Sequence, residues 1–140
     1  MKTLVVLLSF LLCGCGETQS RFTCPSSDSV TGIEIDLENF PPTWKRDESF
    51  KFSVPPTHHE EILELFRGAR FNDDPHKMET MGTVDIEHES EKLRISVYSD
   101  SRKRLDFHSG GSFYTGSSIE DALRVIQSAY SQRSEQGEAR

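Results

Sequence analysis

Three successive runs between residues 82 and 114 alternate between apolar and polar side chains. Their apolar positions are Val84 and Ile86, then Leu93, Ile95 and Val97, then Leu105 and Phe107. Successive side chains of a strand point to opposite faces, so each run predicts a strand with one apolar and one polar face. The breaks at 89–92, 99–102 and 109–112 are short and polar, which favours an antiparallel meander. Such a sheet needs a cover for its apolar face.

Segments before and after the meander predict further strands and the cover. Alternation over 30–37 and 49–54 predicts two strands, and Phe113 and Tyr114 predict a short last one. The loop 38–48, with two prolines and Trp44, separates the first two strands, and we expect Trp44 to lie over the core.

Two amphipathic patterns predict helices. Thr57 with Glu60, and Ser117 with Glu120, have the spacing of a capping box at a helix N-terminus. Apolar residues then recur at helical spacing in each segment, which places them on one side of the helix. We expect His58 and His59 to lie at a solvated helix start, because adjacent helical residues point too far apart to share a metal ion readily.

The element order is therefore β-β-α-β-β-β-(β)-α. It predicts an α+β fold: a two-layer sandwich in which an antiparallel sheet carries two helices on one face. We place a signal peptide at 1–14, a polar tether at 15–29, the domain at 30–130 and a flexible tail at 131–140. The turn at 71–77 joins the first helix to the meander.

The N-terminus has the layout of a secretory signal peptide, with Lys2 before an apolar run over 4–12 that is too short to span a bilayer. The end of this run, Leu12-Cys13-Gly14-Cys15, resembles a bacterial lipobox. That resemblance implies that Cys15 is lipidated and becomes the mature N-terminus, with acyl chains anchoring the protein to a membrane. The alternative is cleavage after Gly16, which removes Cys15 and gives a soluble secreted protein. If Cys15 is neither lipidated nor removed, it could form a disulfide with Cys24.

The chain carries 23 acidic and 16 basic residues, for a net charge of −7. This balance argues against nucleic acid as a partner, because binding to the phosphate backbone needs a basic stripe. No zinc-ligand spacing, phosphate-binding glycine loop or nucleophile elbow occurs in the sequence. We therefore predict no metal, no cofactor and no catalytic residue.

The segment 50–130 resembles a set of uncharacterised small envelope and secreted lipoprotein-like proteins of planctomycete-type bacteria. The similarity lies in Val54-Pro55-Pro56 before a helix with Ile62-Leu63, in the sheet opening 82–86, and in the segment 113–117 before the last helix. The resemblance implies this fold, and it implies no activity and no site.

These patterns favour a membrane-anchored lipoprotein of the bacterial envelope with a non-enzymatic binding role, the partner being another envelope component. The polar face of the sheet is the expected binding surface, with Tyr98, Arg94 and Arg104 as candidate residues and Ser96 and Asp106 beside them. One alternative is a secreted inhibitor or immunity-type protein. Another is an envelope enzyme, which would need His88, His108 and a carboxylate to converge.

Overall fold

The computed structural model describes residues 21–38, 50–75, 77–100 and 102–137. Its strands are β1 Val30–Leu37, β2 Phe50–Ser53, β3 Arg70–Phe71, β4 Glu79–His88, β5 Glu91–Ser99, β6 Arg104–Ser109 and β7 Ser112–Ser118. Its helices are α1 His59–Glu64 and α2 Ile119–Gly137, with 3-10 turns at Ser27–Ser29 and Pro56–His58. The seven strands form one antiparallel sheet, which confirms the α+β prediction.

The strand order is β2-β1-β4-β5-β6-β7-β3. The predicted meander, β4 to β7, forms its centre, while β1 and β2 extend one edge and β3 ends the other. The register places apolar positions side by side, as with Ile86 between Ile33 and Leu93. One sheet face is therefore apolar across the central strands.

That apolar face forms the core together with both helices. Ile35, Ile86 and Phe107 are each 0% exposed, and Ile62 of α1 and Ala122 of α2 belong to the same buried cluster. A cavity lined by side chains of both helices and of the central strands has a volume of about 10 Å³. That volume holds at most about one water molecule, so the side chains around it are in close contact.

Two hairpins of the meander have the same turn geometry but different residues. Gly110 and Gly111 have φ of 57° and 84°, while Glu89 and Ser90 have φ of 47° and 66°. Two consecutive positive φ values suit the twist of a two-residue hairpin, and glycine adopts them without steric cost. The β4–β5 turn therefore carries backbone strain that the β6–β7 turn lacks.

Both predicted capping boxes need correction. Residues 56–58 form a 3-10 turn, α1 begins only at His59, and the side chain of its N-cap residue, His58, makes no capping hydrogen bond. At α2 the box lies one residue later than predicted: Ser118 Oγ accepts the Asp121 N–H at 3.1 Å and donates to Asp121 Oδ2 at 2.9 Å. The Ser117 hydroxyl instead donates to the carbonyl of Leu65 at 3.1 Å, which ties β7 to the end of α1.

The domain extends beyond the predicted boundaries on both sides. Phe22, within the predicted tether, is buried, donates its backbone N–H to Ala69 at 3.0 Å and packs edge-on to Phe107 at 5.0 Å. Helix α2 continues to Gly137, past the predicted end at residue 130. The predicted signal peptide, Cys15 and the loop residue Trp44 lie outside the described residues.

Candidate functional site

The candidate site is the polar face of the sheet, the face opposite the core side chains of the strands. Its central positions are Thr83, Asp85, Arg94, Ser96, Tyr98, Arg104, Asp106, His108, Phe113 and Thr115. Eight of these ten are half-buried or exposed, and only Asp85 and Asp106 are buried. The three predicted residues, Tyr98, Arg94 and Arg104, all lie on this face.

Three aromatic rings form a cluster across strands β5, β6 and β7. His108 and Phe113 are cross-strand partners with ring centroids 4.7 Å apart, and Tyr98 lies 6.0 Å from Phe113. All three are half-buried, so part of each ring is accessible. Rings that offer apolar area together with a hydroxyl or an imidazole are well suited to binding a protein surface.

Asp106 lies next to this cluster, directly opposite Tyr98 on β5 and Thr115 on β7. Asp106 is 2% exposed, and its Oδ1 has no hydrogen-bond partner in the described part of the chain. Burial raises the pKa of this carboxyl, while a hydrogen bond with Thr115 acts in the opposite direction. A buried carboxylate with an unpaired oxygen costs folding free energy.

Arg94 lies at another part of the face and is bound to Asp85. Arg94 Nε and Nη2 donate to the two carboxylate oxygens at 2.7 and 2.9 Å, and Lys92 Nζ lies 3.0 Å from Oδ2. These contacts, mainly the hydrogen bond from Arg94, lower the pKa of Asp85 to about 2. Although the Arg94 side chain is 65% exposed, its guanidinium group is engaged in an ion pair with Asp85 within the domain.

Arg104 lies at the β5–β6 turn, which is organised by Asp100. Asp100 Oδ1 accepts the backbone N–H groups of Arg102 at 2.9 Å and Arg104 at 2.8 Å. The Arg104 guanidinium makes a longer contact, with Nε 3.4 Å from Asp100 Oδ2. Among the described residues, no acceptor is paired with its outer nitrogens.

The structure thus separates the predicted residues rather than gathering them into one pocket. Arg94 and Tyr98 are four residues apart on β5, which corresponds to about 13 Å along a strand. Tyr98 instead groups with His108 and Phe113. His108 has the parity of Arg104 and Asp106, which places it on the polar face, but its contact with Phe113 depends on the β6–β7 register, which no local pattern indicates.

His88 and His108 do not form the histidine site that the enzyme alternative would need. His88 has the parity of the buried Val84 and Ile86, whereas His108 lies on the polar face. His108 is linked through Ser96 to Thr83, five residues from His88, or about 16 Å along β4. No cluster of three or more metal-binding side chains occurs among the described residues.

His58 and His59 are buried, so the prediction of a solvated helix start is wrong. His58 Nδ1 lies 3.0 Å from Glu61 Oε2, and His59 Nε2 lies 3.2 Å from the carbonyl oxygen of Val54. The two rings close the junction between β2 and α1. The predicted capping box described only the local helix start. The burial of the two histidines results from packing of the end of β2 against α1.

Cys24 is not an activated thiol. Its Sγ donates to the Leu63 carbonyl at 3.6 Å, and burial raises its pKa to about 11. The thiolate, which is the reactive form, is therefore scarce at neutral pH. Cys24 helps to hold the N-terminal segment against α1.

No family model matches the chain, and no curated protein or solved structure is significantly similar to it. The resemblance to planctomycete-type envelope proteins therefore stays a prediction. Across residues 21–38, 50–75, 77–100 and 102–137, no helix has both the length and the apolar character needed to cross a membrane.

Proposed function

We propose that this protein is a lipoprotein of the bacterial envelope, anchored through Cys15, whose folded domain binds another envelope component without catalysis. The observation that carries the binding role is the cluster of Tyr98, His108 and Phe113 on the polar face. These rings are half-buried side by side, although the apolar face already provides the core.

The neighbourhood of the cluster supports a binding role in a second way. Asp106 is buried beside Tyr98, and its Oδ1 has no hydrogen-bond partner in the described part of the chain, a feature that lowers stability. Arg104 offers guanidinium nitrogens beyond its contact with Asp100. A partner that covers this region could pair with these groups and exclude water from the rings.

The anchor is supported by the lipobox-like end of the leader, Leu12-Cys13-Gly14-Cys15. Cys24 supports it indirectly, because its thiol is half-buried against Leu63 and the domain provides its own core. A disulfide with Cys15 is therefore not needed for folding.

Detergent-phase partition of the full-length protein expressed in a bacterium, with the intact mass, tests the anchor. We expect the wild type to enter the detergent phase with the added mass of a diacylglyceryl group, and Cys15→Ala to stay aqueous. If both proteins stay aqueous at the mass of a chain cleaved near Gly16, the protein is secreted and the anchor is wrong.

Crosslinking in intact cells tests the binding face. We expect Tyr98→Ala and Arg104→Ala to reduce the yield of a specific crosslinked complex, because they remove an accessible ring and an accessible cation. Gln127→Ala, at an exposed position of α2, is the matched control. Unchanged yield with Tyr98→Ala and Arg104→Ala would contradict this binding role.

A further inference from the structure

Two arginines face each other at the β3 edge of the sheet. Arg21 and Arg70 form an isolated antiparallel bridge, so their side chains leave the backbone on the same side. Both are exposed, and neither has an ion pair with an acidic residue in the described part of the chain. Like charges directly opposite each other on neighbouring strands are destabilising, so an anion bound between them would relieve repulsion.

The next residue, Phe71, is exposed at the same edge, with its side chain on the opposite face of the sheet from that of Arg70. Phe71 is 40% exposed, and among the described residues it is the one large hydrophobic side chain that is exposed. Its ring lies edge-on to Tyr114 at 6.3 Å, so one side is packed and the other faces outward. The basic edge, defined as Arg21, Arg70 and Phe71, thus combines two cations with an aromatic ring.

The length of the chain before Arg21 determines where this edge can lie. Six residue steps separate Cys15 from Arg21. A fully extended chain covers no more than about 22 Å in six steps. The opposite edge of the sheet, β2, is six strand spacings from β3, or about 29 Å. A lipid group on Cys15 therefore keeps the basic edge near the bilayer, whereas β2 can lie well away from it.

We infer that the basic edge rests on an anionic lipid surface, with Arg21 and Arg70 binding headgroup phosphates and Phe71 entering the interfacial region. This inference depends on the proposed lipidation of Cys15. Guanidinium groups bind phosphate in a bidentate manner, and each basic residue near an anionic surface strengthens attachment. The sheet then stands with β3 at the membrane, and the aromatic cluster, which spans the next three strands β7, β6 and β5, stays accessible from the side.

The test measures which edge of the lipidated full-length protein touches the bilayer. In a Trp44→Phe background, Phe71→Trp and Lys51→Trp place one tryptophan at the β3 edge or at the β2 edge. Each protein is checked for its diacylglyceryl mass and reconstituted into phosphatidylcholine vesicles with or without phosphatidylglycerol, some containing brominated lipid. We expect bromine quenching of Trp at position 71 in anionic vesicles, its loss at high salt, and no quenching at position 51.

Two charge variants show whether the arginines cause this orientation. Arg21→Gln with Arg70→Gln should abolish the quenching at position 71. Arg102→Gln with Lys103→Gln, which removes the same charge from the exposed β5–β6 turn, should leave it unchanged. Thermal unfolding of both double variants confirms that they are folded.

The outcomes separate this inference from the proposed function. Two results would overturn the orientation while a diacylglyceryl mass leaves the anchor intact. One is equal quenching at positions 51 and 71. The other is loss of the quenching at position 71 in Arg102→Gln with Lys103→Gln but not in Arg21→Gln with Arg70→Gln. Absence of the diacylglyceryl mass overturns the anchor, and with it the orientation that depends on it.

Discussion

The two faces of the sheet differ in how much each can contribute to stability. The apolar face holds side chains such as Ile35, Ile86 and Phe107, which are fully buried against the helical layer. The polar face holds an ion-paired group around Asp85, half-buried rings, and Asp106, whose Oδ1 has no hydrogen-bond partner among the described residues. Its contacts are exposed to solvent or incompletely paired. The apolar face therefore accounts for the core, whereas the polar face contributes less to it and leaves part of its aromatic and charged surface accessible.

The largest expected effect is the loss of stability when a ring of the apolar face is truncated. Truncation of a ring on the polar face is the comparison. Phe107 contacts Phe66 at 5.1 Å and Tyr114 at 5.3 Å within the core. Phe107→Ala should lower the free energy of unfolding by about 3–5 kcal/mol, because it leaves a cavity among fixed neighbours. Phe113→Ala, on the polar face, should cost about 1 kcal/mol. Urea unfolding measures both, and equal losses would contradict the division between the faces.

A smaller effect should come from Asp106. Because burial raises its folded-state pKa, its neutral form is favoured in the fold, and stability falls as the pH rises from the unfolded-state pKa through the folded-state pKa. Asparagine cannot ionise at this position. The unfolding free energy of Asp106→Asn minus that of the wild type should therefore increase from pH 3 to pH 7. Urea unfolding at each pH measures this difference. A difference that stays constant over this range would show that Asp106 ionises in the fold as in the unfolded chain.

The Asp85 pair should show the opposite pH dependence and a modest size. Its pKa is lowered to about 2, so its stabilisation is present above the unfolded-state pKa near 4 and is lost as the pH falls toward 2. Asp85→Asn should cost about 1 kcal/mol at pH 7, a small value because Arg94 is largely exposed. The same variant compared at pH 2 should differ little from wild type. A persistent loss at pH 2 would indicate that packing, and not charge, accounts for the effect.

The smallest expected effect is a gain at the β4–β5 turn. Replacing Glu89 by Asn and Ser90 by Gly supplies residues that adopt positive φ readily, so stability should rise by about 0.5–1 kcal/mol. Gly110 and Gly111 of the neighbouring hairpin are the internal reference, because Gly111→Ala should cost stability for the same reason. Thermal unfolding of both variants measures the changes. No gain from the Asn-Gly turn would show that the two hairpins do not differ in strain.

Alternation predicted the central strands well, because burial of one sheet face requires strict period two, as in Ile95 and Val97. Local signals failed where packing decided the outcome. The sequence predicted a capped helix start at Thr57, but the helix begins at His59 and His58 is buried. Phe22 is also buried, although the residues around it are mostly polar. The two-residue strand β3 is too short to show a pattern. The aromatic cluster depends on the β6–β7 register, so parity could give only the face of His108 and not its neighbours.

The most direct test of a binding polar face places a photoreactive amino acid, benzoylphenylalanine, at one of two positions in the full-length protein in living bacteria. Position 96 lies on the polar face between Thr83 and His108, and position 127 is exposed on α2. We predict that illumination gives a discrete adduct from position 96 and none from position 127. Adducts of the same size and yield from both positions, or none from position 96, would contradict a specific binding role for this face.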